Sequence, residues 1–361
     1  MTELTQEELR DEVERVYQNS LTRKYWGFIG RGLARLIGKK GEAPLWISIL
    51  VVMLIIQVLA QILLVVFKKS VADSPVSIQN SYPMVIYIWF STIVFRALVE
   101  NYFEHLKTTL VDALNLPTSG KTFTKWLNMI GQTRIQAIGV LIFTALFSST
   151  SIFVIYSQNN RIPELTDYVF TFLVFLQIAF HMYWIFIAAL TFVFWIRDWK
   201  FILFQDDPSK SHVMQVLHQV SSRILFVVAL LMALNIILVI PLKLYSQLYM
   251  AISISIFWAP ALVFFWMSES SFSHLAVEAK FERLNAIQRQ IMEIENTQDL
   301  KQKESADAVQ RLLDLHDRVK AVPVSMINLN SITNLLGSLA LPLLAFLINI
   351  FDIWQKLFQT P

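Results

Sequence analysis

The sequence predicts an all-α fold: a multi-pass transmembrane helical bundle of six to seven spans with a cytoplasmic helical hairpin. Three observations carry this prediction. Hydrophobic residues make up 55% of the chain and charged residues 16%, where soluble domains hold roughly 45–50% and 25%. The apolar residues gather into runs of about 20, the length needed to cross about 30 Å of hydrocarbon. Lys and Arg concentrate in alternate gaps between those runs, as the positive-inside rule requires of a chain that crosses repeatedly. Ten-residue strands of alternating polarity are missing from the sequence, which disfavours a β-barrel.

The first 43 residues carry the expected cytoplasmic amino terminus. Residues 2–20 contain Glu3, Glu7, Glu8, Asp11, Glu12 and Glu14 with sparse apolar residues, predicting a solvated helix. The charge then reverses. Arg23, Lys24, Arg31, Arg35, Lys39 and Lys40 alternate with Tyr25, Trp26, Phe28, Ile29, Leu33, Leu36 and Ile37. That mixture suits an amphipathic segment in the headgroup layer, its six cations on anionic lipid. Glycines at 27, 30, 32 and 38 weaken the helix prediction there. The segment lacks the apolar stretch and small-residue cleavage site of a cleaved signal peptide.

Residues 44–268 form the predicted six-span bundle. Its spans are Pro44 to Phe67, Tyr82 to Val99, Gln136 to Ser157, Tyr168 to Ile196, Ile224 to Ile240 and Tyr249 to Met267. The fourth is long enough to tilt. With the amino terminus inside, the cytoplasmic gaps hold 24 Lys and Arg against five outside, Arg96 lying within a span. This asymmetry predicts a multi-pass protein of the cell membrane, an inner membrane, with a cytoplasmic amino terminus.

Residues 269–331 predict the soluble hairpin. Val277, Phe281, Leu284, Ile287, Ile291 and Ile294 keep helical spacing, the pattern breaks at Asn296 to Asp299, and it resumes at Val309, Leu312, Leu315 and Val319. A leg of 26 residues from Ser270 to Glu295 descends about 39 Å, and a second leg returns the chain to the bilayer. The hairpin is either intramolecular or a coiled coil that docks a cytoplasmic protein partner through 269–320 or a second copy, giving a homo-oligomer. Residues 332–361 hold a seventh segment, Ile332 to Phe351, diluted by Asn334, Pro342 and Asn349; it either spans or re-enters.

Polar residues inside apolar runs are the candidate sites, because solvating them in hydrocarbon is costly. Gln57 and Gln61 share a face of the first span by four-residue spacing, as do Gln177 and His181 in the fourth. Asn235 lies in the fifth span, Ser148 to Ser151 in the third, and Ser253 and Ser255 in the sixth. Gln57, Gln61, Gln177, His181 and Asn235 are the candidate polar pathway, either a water-lined route or interhelical hydrogen bonds. His181 stands out as the titratable group nearest the middle of a span. Arg96 and Glu100, four apart, are a candidate ion pair or gate.

Catalytic and cofactor chemistry find little support. Asn115 to Thr122 resembles a phosphate loop only in its final Gly-Lys-Thr, and it follows a helix where a strand is required. His212 and His218 are six apart, unsuited to one metal on one helix face. The chain has no cysteine, which removes disulfides and thiolate chemistry. No catalytic residue, cofactor or metal is expected, and the basic balance points to the lipid bilayer as partner, with no nucleic acid. The expected function is a channel or transporter for an ion or small solute, regulated through the hairpin. The alternative is a membrane-anchored signalling or interaction scaffold.

Overall fold

A computed structural model describes residues 5–66, 78–159, 165–203, 207–239, 259–297 and 303–322, with single positions at 337 and 340. All but those two positions of the predicted seventh segment, most of the sixth, and the serines at 253 and 255 lie outside the described residues. Helix α1 (Gln6–Gln18) begins at Thr5, whose hydroxyl accepts from the Glu8 amide while the Glu8 carboxylate accepts from the Thr5 amide. These reciprocal bonds satisfy two of the end's otherwise orphaned donors. Leu9, Val13 and Val16 face inward, so the helix is docked and not solvated along its length as expected. Spacing of four and three residues makes a narrow stripe sufficient for one contact face.

Helix α2 (Leu21–Leu36) starts at Ser20 and forms in spite of its glycines. The reason is close packing: a Cβ at Gly30 would stand 3.3 Å from the Ala43 carbonyl oxygen. Gly38, at φ 69°, follows the helix in the left-handed conformation that favours glycine. Trp26, Gly27, Gly30 and Ala34 are buried, so one face of the predicted headgroup segment is built into the bundle.

Helices α3 (Leu45–Val66), α4 (Ile78–His105), α5 (Leu116–Gly131), α6 (Thr133–Asn159), α7 (Leu165–Met182), α8 (Ala189–Trp195), α9 (His212–Val239), α10 (Ala259–Thr297) and α11 (Lys303–Ala321) follow. Two π-helical stretches interrupt them, Leu106–Leu110 after α4 and Tyr183–Ala188 between α7 and α8. Among the described residues there is no strand, only an isolated antiparallel bridge between Leu114 and Phe201.

Four stretches are long and apolar enough to cross a membrane: Leu45–Ile62, Thr133–Phe153, Asp167–Asp198 and His212–Leu231. The protein therefore has the makings of a membrane protein among its described residues. The second predicted span, Tyr82 to Val99, lies within helix α4. On α3, Leu50, Leu54, Ile55, Val58, Leu59 and Ile62 are exposed, a face suited to lipid. Helices α6 and α7 pack as neighbours, α4 touches α3, α7 and α9, and α10 packs on α9 and α11. The predicted fourth span is not one uniform helix. Past the π-helical stretch, Phe192 meets Trp126 at 5.5 Å and Trp199 at 5.6 Å between ring centroids, so its excess length enters an aromatic core with α5.

The basic segments of the sequence collect at one end of the bundle. Arg10 pairs with Asp112 and Lys107 with Glu14. The Asn115 amide donates to the Lys200 carbonyl at 2.9 Å and the Ile202 amide to the Ala113 carbonyl at 2.7 Å. Lys200 pairs with Glu278 and Glu282. Lys280 donates to the carbonyls of Lys320 and Val322, tying the end of α11 to α10.

Candidate functional site

The α2–α7 crossing is built around His181. Four-residue spacing puts Gln177 and His181 on one face of α7, and α2 lies over that face. The Tyr25 hydroxyl donates to Gln177 Oε1 at 2.8 Å, while Gln177 Nε2 donates to the Leu173 carbonyl at 3.0 Å. Tyr25 stacks on Phe180 at 4.3 Å, and the Trp26 ring lies 6.5 Å from that of His181. Thr22 pins the crossing: its hydroxyl donates to the Phe180 carbonyl at 2.8 Å and accepts from Trp184 Nε1 at 3.2 Å.

His181 is 0% exposed. The Gln177 carbonyl one turn back attracts one ring proton weakly, and no well-formed hydrogen bond reaches either ring nitrogen or the buried Trp26 indole nitrogen. A neutral imidazole offers one donor and one acceptor, and sealing both away unpaired is unfavourable. Sequence reasoning located Gln177 and His181 but missed Tyr25, Trp26 and Thr22, which lie more than 150 positions away and carried no local signal toward them.

A second missed residue is Gln136. Fully buried, its Oε1 accepts from the Leu21 amide at 2.7 Å while its Nε2 donates to the carbonyls of Ile130 and Gly131. It thus caps the start of α2 and the end of α5 together. The sequence placed it only as the first residue of a span.

Arg96 and Glu100 pair at 2.7 Å. Glu100 also accepts from the Tyr17 hydroxyl at 3.2 Å, which ties α1 to this pair. Burial, then the Glu100 charge, push the Tyr17 phenol up to about 12. Gln57 and Gln61 are half-buried on α3, each with a partner. The Asn235 side chain lies outside the described residues. Ser148 and Thr150 donate to carbonyls four residues back in their own helix, a local satisfaction of the polar run in α6.

Of the six predicted headgroup cations, Arg31 and Arg23 face Glu42 at 2.7 and 3.8 Å. Lys24, Arg35, Lys39 and Lys40 are exposed. Ser119, from the rejected phosphate-loop resemblance, accepts from the Lys200 amide at 2.6 Å and so serves the bridge beside it. His218 Nδ1 and Glu269 Oε1 lie 2.9 Å apart between α9 and α10. Among the described residues no three His, Cys, Asp or Glu side chains gather closely enough to hold a metal.

Comparison with known protein families, with curated proteins and with solved structures finds no match for this chain.

Proposed function

We propose that this protein moves an ion or small solute across a cell membrane through a polar site at His181 and Gln177, closed in this state by α2. The observation that carries the reading is an enclosed imidazole that lacks a well-formed hydrogen bond at either nitrogen, on the most enclosed of the four apolar stretches. Such a group is costly where hydrogen-bonding partners are scarce and marks a functional position by default. Tyr25 and Trp26 roof it, so displacement of α2 would open it. Gln57, Gln61 and Asn235 extend the candidate pathway, and the Arg96–Glu100 pair, linked to α1 through Tyr17, is positioned to couple that displacement to the amino-terminal helices.

The proposed topology has six or seven spans with a cytoplasmic amino terminus. It is supported by the meeting of the four basic segments at one end of the bundle, which an even number of crossings between them requires. The native chain lacks cysteine, so introduced cysteines can map it directly. Labelling at 24 and 289 from the cytoplasmic side and at 161 from the other is expected; the reverse pattern overturns the orientation.

Flux in reconstituted liposomes tests the function. His181→Ala and Gln177→Ala should alter the rate or selectivity of transport. Unchanged flux would remove the site, and absence of flux across a panel of inorganic ions and small solutes would remove the class.

A second reading has its own observation. Phe281, Met292 and Leu313 are 60%, 59% and 43% exposed on the α10–α11 hairpin. A scaffold that binds a cytoplasmic protein, or a homo-oligomer formed through this surface, would use it. Replacing all three by Ser should then abolish assembly while the spans remain inserted.

A further inference from the structure

Helix α2 carries a mixed face on the side away from the bundle. Phe28, Gly32 and Leu36 follow at four-residue intervals, and Lys24, Arg31 and Arg35 at seven and four, so an apolar row and a cationic row run side by side. Both rows are exposed, Phe28 at 76% and Leu36 at 82%. Just past the helix, Ile37, Lys39 and Lys40 are exposed too. Glu42 pairs with Arg31 and Arg23, whereas Lys24, Arg35, Lys39 and Lys40 pair with no carboxylate among the described residues. We propose that anionic lipid headgroups occupy this face and clamp α2 onto α7, so that the anionic-lipid content of the leaflet sets how firmly His181 is covered.

Continuity with a lipid-facing surface selects the occupant. Eight residues separate α2 from α3, which holds one of the four stretches long and apolar enough to cross a membrane. The Ala43 amide donates to the Gly30 carbonyl at 2.9 Å, fastening the approach to α3 against the middle of α2. Trp46, the second residue of α3, is exposed, and its carbonyl accepts from Trp89 Nε1 at 3.1 Å. Tryptophans gather at the headgroup level of a span, and the exposed Leu50, Leu54 and Val58 continue from there along α3. A helix at that level, with an apolar row beside a cationic one, fits the surface of an anionic leaflet. A soluble polyanion would satisfy the cations and leave Phe28, Leu36 and Ile37 in water.

Docking and lipid binding reinforce each other. Against the bundle, α2 holds Thr22, Tyr25 and Trp26 over α7 while its two rows face outward, so both partners are engaged at once. Undocked, the glycines at 27, 30 and 32 lower its helicity, and the rows disperse as the helix frays. Lipid therefore prefers the docked form, and that difference in affinity is what shifts the docking equilibrium. Lipid-dependent docking stands whether or not the protein transports a solute, whereas its effect on flux rests on the site proposed at His181.

Hydrogen exchange of the full-length protein in vesicles tests the clamp. Replacing about a third of the phosphatidylcholine by phosphatidylglycerol should slow exchange across 21–36 about fivefold, the weight of one basic residue beside an anionic leaflet, and leave α5 unchanged. Lys24→Gln, Arg35→Gln, Lys39→Gln and Lys40→Gln together should abolish the slowing. Should that variant fail to insert, raised salt on the native protein gives the second measurement, since screening should also abolish it. Equal or faster exchange in the anionic vesicles, or slowing that survives salt, overturns the proposal. If polyglutamate or inorganic phosphate slows exchange as much in neutral vesicles, a soluble anion is the occupant and the lipid assignment falls. Slowed exchange with unchanged flux supports the clamp and counts against transport at His181, which keeps the two readings apart.

Discussion

Gly139 offers the most direct test of how α6 meets the π-helical stretch Tyr183–Ala188. A Cβ built there would stand 2.6 Å from Tyr183 Cδ2 and 2.8 Å from Ile187 Cδ1, both well inside van der Waals contact. Tyr183 cannot withdraw freely, since its hydroxyl donates to the Ile130 carbonyl at 2.8 Å and its ring stands edge-on to Trp184. Gly139→Ala therefore sets three effects against one another. Overpacking costs about 1–3 kcal/mol, and loss of the Tyr183 hydrogen bond about 1 kcal/mol. Removing a glycine from a helix returns about 1 kcal/mol. The net loss is about 1–3 kcal/mol. Denaturation in mixed micelles measures it, with Gly32→Ala as the control. A Cβ at Gly32 meets nothing within 4 Å, so that variant should gain up to about 1 kcal/mol. Gly139→Ala equal to or more stable than the native protein would refute the packing argument.

Other expectations follow from single contacts. Tyr25→Phe removes the bond to Gln177 and should cost about 1 kcal/mol; in a Gln177→Leu background the same change should cost measurably less, as a double-mutant cycle reads directly. Gln136→Leu removes the partner of the Leu21 amide and of the Gly131 carbonyl, while the Ile130 carbonyl keeps the Tyr183 hydroxyl, and should cost about 2–4 kcal/mol, seen as faster proteolysis of the amino-terminal helices. Glu282 and Glu278 hold the Lys200 ammonium above its ordinary value of 10.5. A raised folded-state pKa means this contribution is complete below pH 10.5 and fades as pH climbs through the folded value. The stability gap between the native protein and Lys200→Met should thus be constant from neutral pH to about pH 10 and close above it. Lys280→Met frees the carbonyls at the end of α11 and should speed backbone hydrogen exchange around 317–322, with little change in α7.

What could be read from the sequence follows from the range of each interaction. Helical class and apolar stretches were legible because hydrocarbon thickness sets a run length that composition alone reveals. The Arg96–Glu100 pair was legible because four-residue spacing is a local rule. The stripe of Leu9, Val13 and Val16 was underweighted because three apolar residues among six acids look solvated until a partner surface exists. The glycines of α2 misled in the other direction. Propensity counts them against a helix, whereas a close approach such as that of Gly30 to Ala43 turns them into packing residues. The partners of His181 arise from helix crossings between distant parts of the chain. No periodicity within one helix encodes them, and the π-helical turns beside them have no sequence signature comparable to a cap.

The stretch Leu106–Leu110 also bears on which length changes this gene can tolerate. A π turn holds one residue more than the α turn it replaces, so deleting a residue there would leave a continuous helix. Because the wider turn already absorbs that residue, everything beyond it would keep nearly its present orientation. Asp112 would still face Arg10, and Leu114 would stay in register with Phe201. Homologous chains one residue shorter at this place should therefore keep both contacts, whereas a deletion elsewhere in α4 would turn Asp112 by about 100° away from Arg10.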